Sequence, residues 1–375
     1  MNLKKKVSNW LNNLTAFRGK SGKWKIVRRS NAHYKELFAE NGTEYRQLTS
    51  SQKQEIDHVW KRYCEGSSLF KYNRYSYATH ELYYSVTGEF QPLIVPEELW
   101  WPTLFNKINV PDMLPAWADK NYFELLLPFG SFPKVIVRNI NGCLEDANYQ
   151  AIDETKANQL LNDQGDVFVK PALDSGAGMN VHLYKKEDKI TIQGINNAFQ
   201  KNYVVQALFH QHEDMSRLNQ SSVNIVRLIT VMINGKVELL MSAVRVGNKG
   251  AINDYSPTSK GTGTVIIGMD ESGALKSFGY EPCGRRVTCC SNGYVFAGHK
   301  IPQYHQMVEN ALAFHLRMPY FKMIGWDMVV DSEGKPAIME YNLKWPGILY
   351  YQWCNGPLFG TDEARVHQYV NALIS

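Results

Sequence analysis

The sequence predicts an α+β protein in which a mainly helical N-terminal region precedes a larger part built from strands, hairpins and helices. Residues 224–246 place an apolar run on each side of Asn234-Gly235, a favoured two-residue hairpin turn. Residues 325–342 place two apolar runs around a turn rich in Asp, Ser and Gly, which predicts a second hairpin. Residues 48–63 carry a helix start signal, with Ser and Thr followed by Gln and Glu in the first turn.

The other elements follow from the spacing of apolar residues. The segment 71–118 is rich in Tyr, Trp and Pro, and we expect it to form a packed connection because large aromatic side chains supply burial. The chain from residue 119 onward alternates helix-like and strand-like runs. Strands are predicted at 132–140, 166–172 and 201–209, and helices at 119–130, 153–163 and 302–318.

Composition excludes several classes of protein. With 44% hydrophobic and 21% charged residues, the chain has the make-up of an ordinary soluble globular protein. No apolar stretch approaches the roughly 18 to 20 residues that span a bilayer, and the basic start lacks the apolar core of a signal peptide. The six cysteines form no CxxC pair, so neither a zinc site nor a disulfide framework is expected, and a reducing cytoplasm fits.

The positive charge is concentrated at the N-terminus. Residues 1–35 contain seven Lys and three Arg before the first acidic residue, Glu36, whereas the rest of the chain is slightly acidic. The apolar residues of this segment recur at helical spacing, and the helix that they predict can dock on the protein's own core or lie peripherally on an anionic membrane. Nucleic acid is not an expected partner, because no basic stripe continues beyond this segment. The apolar residues that recur there at helical spacing are Leu3, Val7, Trp10, Leu11, Leu14 and Phe17.

Two acids and an amide in the second hairpin suggest a metal site. If the pairing centres on the turn, Asp327 lies opposite Glu340, and Asn342 shares a strand face with Glu340. Two adjacent carboxylates repel each other unless a cation or a proton lies between them, and Mg²⁺ takes oxygen ligands. The alternative is an ordinary hairpin whose acids face solvent.

A second chemical signal is Lys170, which ends an apolar strand and precedes a small-residue loop with Ser175, Gly176 and Gly178. Such a loop lets backbone N–H groups approach phosphate oxygens, and the lysine adds positive charge. The loop does not match the Walker A pattern, in which a Lys and a Ser or Thr follow the second Gly directly. The alternative interpretation is a surface hairpin turn.

In their order along the chain, these features resemble the ATP-grasp superfamily. The Lys-ended strand and Gly-rich loop precede the strand YVVQALF, an Arg-bearing strand, and the strands with Asp and Glu-x-Asn. The segments VPEELW, ADKNYFELL, VFVKPALDSGAG and MEYN are similar to the sugar-transfer-associated branch, which is found near polysaccharide biosynthesis functions. The resemblance runs from Asp119 to Gly360. It implies that a lid subdomain at 119–205 and a C-terminal subdomain at 206–375 bind ATP between them. The helical region 1–118 precedes both subdomains in the chain.

The resemblance also implies the residues of a site for ATP and Mg²⁺. Lys120 matches the family's first ATP lysine, with Lys134 as the alternative, and Lys170 matches the second. The ribose contact is Glu213, Asp214 or His212. Many members carry Glu where this chain has Gln206 at the adenine hinge. The implied ATP contacts are Lys120, Lys170, Ser175, Gly176, Gly178, Gln206, Leu208, His212 and Asp214, and the implied Mg²⁺ ligands are Asp327, Glu340 and Asn342.

The implied activity is that of an ATP-dependent carboxylate–amine ligase. Arg227 matches the arginine that stabilises a transferred phosphate or acyl phosphate, and Arg245 lies on the paired strand. The expected partners are a small-molecule or glycan substrate with a carboxylate and an amine acceptor, in capsule or polysaccharide biosynthesis. Residues 251–263 depart from the family's substrate loop. A kinase acting on a hydroxyl and a non-catalytic, membrane-attached nucleotide-binding module are the alternatives.

Overall fold

Two antiparallel β-sheets organise the part of the chain that the structure, a computed structural model, describes: residues 32–64, 77–173, 180–254, 263–344 and 346–375. The predicted basic N-terminal helix falls almost wholly outside these ranges. The loop residues Ser175, Gly176 and Gly178 also lie outside them, as does the segment 255–262 of the expected substrate loop.

The smaller sheet contains the predicted strands that carry Lys170 and Gln206. Helices Glu154–Asn162 and Ile192–Phe199 pack on it through apolar side chains such as Leu161 and Ile195. Its strands are β1 (Val135–Ile140), β2 (Cys143–Glu145), β3 (Val167–Pro171), β4 (His182–Tyr184) and β5 (Tyr203–Ala207), in the order β2-β1-β5-β3-β4.

The larger sheet contains both predicted hairpins, which are confirmed. Asn234 and Gly235 have φ angles of 51° and 75°, the left-handed conformation that a tight hairpin turn requires. In the second hairpin Asp327 pairs with Glu340, as the sequence predicts. The strands are β6 (Ile225–Ile233), β7 (Lys236–Val246), β8 (Val265–Met269), β9 (Leu275–Tyr280), β10 (Arg286–Val287), β11 (Met323–Val330) and β12 (Pro336–Asn342), in the order β10-β9-β8-β7-β6-β11-β12.

The helices largely follow the predicted positions. Thr49 and Gln52 form a reciprocal cap at the start of helix Ser50–Cys64. The Gln52 backbone amide donates to the Thr49 hydroxyl at 3.3 Å, and the Thr49 backbone amide donates to Gln52 Oε1 at 2.9 Å. The helix predicted at 119–130 is shorter than expected, because Pro128 and Gly130 do not continue it. Besides those already named, helical segments are 32–40, Ser50–Cys64, Ala78–Thr87, Glu97–Leu99, Trp100–Leu104, Phe105–Ile108, Pro111–Met113, Leu114–Trp117, Lys120–Tyr122, Phe123–Leu126, Lys186–Asp188, Glu213–Leu218, Tyr304–Leu316, Leu349–Asn355 and Glu363–Ile374.

The larger sheet separates two hydrophobic cores. Helix Tyr304–Leu316 covers one face, where Leu228 of β6 is buried. The N-terminal helical region and the C-terminal helices cover the other, where Ile229 of β6 is buried. Leu82, Trp100 and Leu104 of the aromatic-rich segment are buried in this second core, which agrees with the packed connection predicted there. Within the described ranges, no helix combines the length and apolar character that crossing a bilayer requires.

A buried histidine connects helix Tyr304–Leu316 to the sheet. The Nε2–H group of His315 donates to the carbonyl oxygen of Phe321 at 2.7 Å, which leaves Nδ1 to accept from the Thr230 hydroxyl at 2.7 Å. That hydroxyl in turn accepts from Trp326 Nε1 at 2.9 Å. Burial lowers the pKa of His315 to about 4. The neutral ring is therefore part of the folded state.

We expect acid to destabilise the fold through this residue. The unfolded histidine has an ordinary pKa of 6.5, so it binds a proton before the folded one does as the pH falls. Between pH 7 and pH 5 this should remove about 2 kcal/mol from the free energy of unfolding. Denaturant titrations at both pH values check this. His315→Asn should lose that pH dependence, His305→Asn on the exposed side of the helix should keep it, and equal pH dependence in both variants would contradict the assignment.

Candidate functional site

A cleft lies between the smaller sheet and strand β12 of the larger one. It encloses about 260 Å³, including the space that opens to solvent. Its wall combines apolar and aromatic side chains with two lysines, one carboxylate and one amide. The lining residues are Lys120, Phe123, Glu124, Phe132, Val135, Lys170, Gln206 and Met339.

The two lysines give the cleft a positive charge. The side chain of Lys120 is 9% exposed, and its Nζ lies 3.6 Å from Glu340 Oε2. Lys170 is also buried; burial and the neighbouring Lys120 lower its pKa to about 8, whereas Glu340 acts in the opposite direction. Lys134, the sequence alternative to Lys120, is exposed and does not line the cleft. The geometry therefore favours Lys120 over Lys134.

Backbone contacts hold the turn that carries Lys120. The Asp119 carboxylate accepts a hydrogen bond from Asn121 N at 2.9 Å. The Lys120 amide donates to the carbonyl oxygen of Ala172 at 3.0 Å, two residues beyond Lys170. The two lysines thus belong to segments that are bonded to each other.

An arginine–aspartate cluster lies beside this cleft. Arg227 on β6 donates to both carboxylate oxygens of Asp327 on β11, from Nε at 2.6 Å and from Nη2 at 3.0 Å. Arg245 on β7 donates to Asp327 at 3.3 Å and to Asp254 at 2.6 Å. The Asn342 amide on β12 donates to Asp327 at 3.1 Å. Although burial by itself raises the pKa of Asp327, the guanidiniums of Arg227 and Arg245 lower it below its usual value.

These contacts correct one premise of the sequence analysis. Asp327 and Glu340 are opposite each other, but they are not an uncompensated pair that needs a cation to hold it together. Asp327 is paired with Arg227, and Glu340 is paired with Lys120. The like-charge repulsion is therefore balanced by protein cations in this state.

The three residue types match the ligands of a hard cation, although Asp327 accepts from Arg227, Arg245 and Asn342 in this structure. Asp327, Glu340 and Asn342 are oxygen-bearing side chains on paired strands, and Mg²⁺ binds through one or two carboxylates and completes its octahedron with water and phosphate oxygens. Glu340 is the more accessible carboxylate, with 24% of its side chain exposed. Across the described ranges, no group of three or more His, Cys, Asp and Glu side chains could hold a metal. A Mg²⁺ site here would depend on Asn342 as the third ligand, and it stays a prediction.

Of the residues expected to contact adenine and ribose, Gln206 lines the cleft, whereas Leu208, His212 and Asp214 do not. Gln206 donates from Nε2 to the carbonyl oxygen of Pro133 at 3.3 Å. The Leu208 amide already donates to the carbonyl oxygen of Asp166 at 3.2 Å, so an adenine ring would have to replace that bond. His212 caps helix Glu213–Leu218 by accepting from the Asp214 amide at 3.2 Å. The roles of Leu208, His212 and Asp214 in nucleotide binding stay predictions.

Two residues near the arginine cluster were missed from the sequence. A Cβ atom on Gly325 would lie 3.2 Å from Arg227 Nη1 and 3.3 Å from the Pro346 Cβ, so this glycine makes room for the guanidinium. A glycine inside an apolar strand is the signal that could have indicated a close approach. The Tyr351 hydroxyl lies 3.4 Å from Arg245 Nη1, and its ring faces Arg227. Nothing in the local sequence pattern distinguishes Tyr351.

Two sheets enclose a lysine-bearing cleft, with the Asp and Glu-x-Asn strands at its edge, which is the arrangement that the sequence resemblance to ATP-grasp proteins implies. The family model described as sugar-transfer associated ATP-grasp matches residues 103–364. The chain belongs to the sugar-transfer-associated ATP-grasp family. No curated protein sequence matches it.

Several solved structures are similar to this chain at low identity. The ATP-grasp ligase PsnB in complex with its minimal precursor is 13% identical, over 71% of this chain and 63% of that chain, with a TM-score of 0.41. D-alanyl-alanine synthetase A from Vibrio cholerae is 15% identical, over 71% and 68%, with a TM-score of 0.42. The L-amino acid ligase from Bacillus licheniformis is 12% identical, over 70% and 48%, with a TM-score of 0.37. The family assignment depends on the family match and not on these similarities.

We expect Lys170→Met to weaken ATP binding without unfolding the protein. Methionine fills the buried space of the lysine stem but removes the charge that would contact phosphate. The loss of one charge-assisted contact corresponds to about 2 kcal/mol, or roughly thirty-fold in Kd. Calorimetric titration with ATP and Mg²⁺ measures it. Lys185→Met, which removes an exposed lysine beyond β4, is the matched control, and equal affinities in the two variants would contradict the role of Lys170.

We expect Glu340→Gln to abolish Mg²⁺-dependent ATP binding while the fold persists. The amide keeps the shape of the side chain but lacks the charge that holds a cation. The partly exposed pair with Lys120 contributes at most about 1 kcal/mol to folding, so the unfolding midpoint should change little. ATP titrations with and without Mg²⁺, together with thermal unfolding, check this. Wild-type dependence of ATP affinity on Mg²⁺ in Glu340→Gln would rule out Glu340 as a ligand.

Proposed function

We propose that this protein is an ATP-dependent carboxylate–amine ligase that works through an acyl phosphate. Its substrates would be a sugar or glycan that bears a carboxylate and an amine or amino acid, in capsule or polysaccharide biosynthesis. The observation that carries the proposal is the cleft in which buried Lys120 and Lys170 face Glu340, beside the arginine cluster. The family description, which names sugar transfer, supports a sugar as the substrate class.

The side chains of the cleft have complementary tasks in this proposal. Lys120 and Lys170 bind the phosphates of ATP, and Gln206 contacts the adenine ring. Asp327, Glu340 and Asn342 would hold Mg²⁺, which shields the phosphate charge when it is bound. The cleft is closed enough to bury both lysines, so their charges act in a medium of low polarity and attract phosphate more strongly than they would in water.

The two arginines would stabilise the transferred group. Because Asp327 fixes the guanidinium of Arg227 through two hydrogen bonds, that group needs little reorganisation to meet negative charge that develops during the reaction. A substrate carboxylate oxygen attacks the γ-phosphorus, the bond to the β-phosphate oxygen breaks, and ADP leaves. The amine then attacks the acyl carbonyl carbon, and the bond from this carbon to the bridging oxygen breaks. Phosphate leaves with that oxygen and the electron pair, and the nitrogen loses a proton to give the amide. No side-chain nucleophile is required.

The N-terminal segment fits a protein that acts from the cytoplasm close to a membrane. Ten basic residues precede the first acidic residue, and a membrane-bound acceptor in polysaccharide synthesis would lie at such a surface. This placement belongs to the proposal, since that segment falls almost wholly outside the described residues.

We expect the protein to form ADP, free phosphate and an amide in equal amounts when it is given ATP, Mg²⁺, a pool of uronic acids and a pool of amino acids. Hydroxylamine in place of the amine should trap the acyl phosphate as a hydroxamate, because it attacks activated carbonyl carbons. Mass spectrometry identifies the products, and Lys170→Met and Lys185→Met serve as the inactive and active comparisons. ADP with a phosphorylated sugar and no free phosphate would identify a kinase instead, and ATP binding without turnover would support a non-catalytic module.

A further inference from the structure

A fully buried arginine on β1 does not line the cleft itself but contacts Glu124, which does. Arg138 forms an ion pair with the Glu124 carboxylate, donates from Nη1 to the carbonyl oxygen of Asp146 at 2.8 Å, and stacks on the Tyr149 ring at 3.9 Å. A guanidinium loses its hydration when it is buried, so it is retained only where such partners compensate for it. None of these partners belongs to the arginine cluster around Asp327.

The contacts of Arg138 and Tyr149 converge on one backbone atom. The carbonyl oxygen of Asn121 accepts from Arg138 Nε at 3.0 Å and from the Tyr149 hydroxyl at 2.9 Å. Asn121 directly follows Lys120, and the Lys120 amide is bonded on its other side to Ala172. The turn that carries Lys120 is therefore fixed from two directions, by β1 and by the end of β3.

Arg138 also affects the charge of the cleft. Glu124 lines the cleft together with Lys120, and a free carboxylate there would repel phosphate and compete for the lysine. In the structure Glu124 is paired with Arg138, and Lys120 is paired with Glu340. The arginine thus holds the Lys120 turn in place and compensates a carboxylate next to it.

We propose that Arg138 and Tyr149 are positioning residues that hold Lys120 where it meets the phosphates of the nucleotide. This inference rests on the proposed function insofar as the ligand is ATP. Neither residue lines the cleft, so both act through the backbone carbonyl group of Asn121. The lysine's place relative to Lys170 is then set by the sheet and not by the length of its own flexible side chain.

Tyr149→Phe tests this directly, because it removes one hydrogen bond to Asn121 and leaves the ring stacked on Arg138. Tyr149 is only half-buried, so the variant should fold. We expect the Kd for ATP to rise about three- to ten-fold, the range of a typical hydrogen bond, while the unfolding midpoint changes little. Tyr184→Phe on β4, at the edge of the same sheet, is the matched control and should bind ATP as the wild type does.

A double-mutant cycle separates positioning from a general structural effect. If Tyr149 acts through Lys120, Tyr149→Phe should have no further effect on ATP affinity in a Lys120→Met background. An undiminished effect in that background, or wild-type ATP affinity in Tyr149→Phe, would overturn the proposal. Arg138→Lys, which keeps a charge for Glu124 but loses the forked contacts, should weaken ATP binding in the wild-type background and not in Lys120→Met.

A second readout does not depend on ATP. Acetylation by acetic anhydride, followed by mass spectrometry, reports how accessible the Lys120 amine is in the free protein. We expect Lys120 to react faster in Tyr149→Phe and Arg138→Lys than in the wild type, with exposed Lys185 as the internal reference. Unchanged Lys120 reactivity in both variants would overturn the positioning role. If the wild type does not bind ATP but Lys120 reactivity rises in the variants, the proposed function fails and the positioning role stands.

Discussion

The ion cluster around Asp327 is the interaction on which the arrangement of the site depends. Its members come from β6, β7, β11 and β12, so the register of four strands and the pairing of charges determine each other. Removing one partner of a buried ion pair costs about 3–5 kcal/mol, because the remaining charge is left without compensation. Gly325 is part of this constraint, since a Cβ atom there would lie 3.2 Å from Arg227 Nη1 and the guanidinium would have to shift slightly.

The cluster also connects the site to the N-terminal helical region through one short helix, Leu349–Asn355. Tyr351 contacts both arginines, whereas Gln352, its neighbour, is fully buried and bonds to both backbone groups of Val95 at 2.9 and 3.1 Å. A change in how residues near Val95 pack would therefore reach this helix and the aromatic ring beside the arginines. Arg227 is two residues from Ile229 on β6, so the arginine cluster faces the same side of the larger sheet as the helical region.

Local sequence patterns predicted the elements whose signals lie close together in the chain. The turn residues of the β11–β12 hairpin were enough to place Asp327 opposite Glu340, and Lys170 was found at its strand end. The partners of these acids could not be predicted, because Arg227 is 100 residues from Asp327 and Lys120 comes from the other side of the cleft. Strands β8 to β10 were missed because they are short and interrupted by Gly and Ser. The role of Arg138 on β1 could not be predicted either, because its partners Glu124 and Tyr149 lie on other segments of the chain.

The core between the helical region and the larger sheet means that the family match does not delimit an autonomous folding unit. Phe38 and Leu82 lie before the matched segment and Val366 lies after it, yet all three pack with Ile229 and Met323 of the sheet. A chain trimmed to residues 103–364 would expose part of one sheet face to water, although helix Leu349–Asn355 would still cover the rest. Such a surface favours aggregation. For biochemical work, a stable unit therefore has to include the described residues before 103 and after 364 that pack on this face.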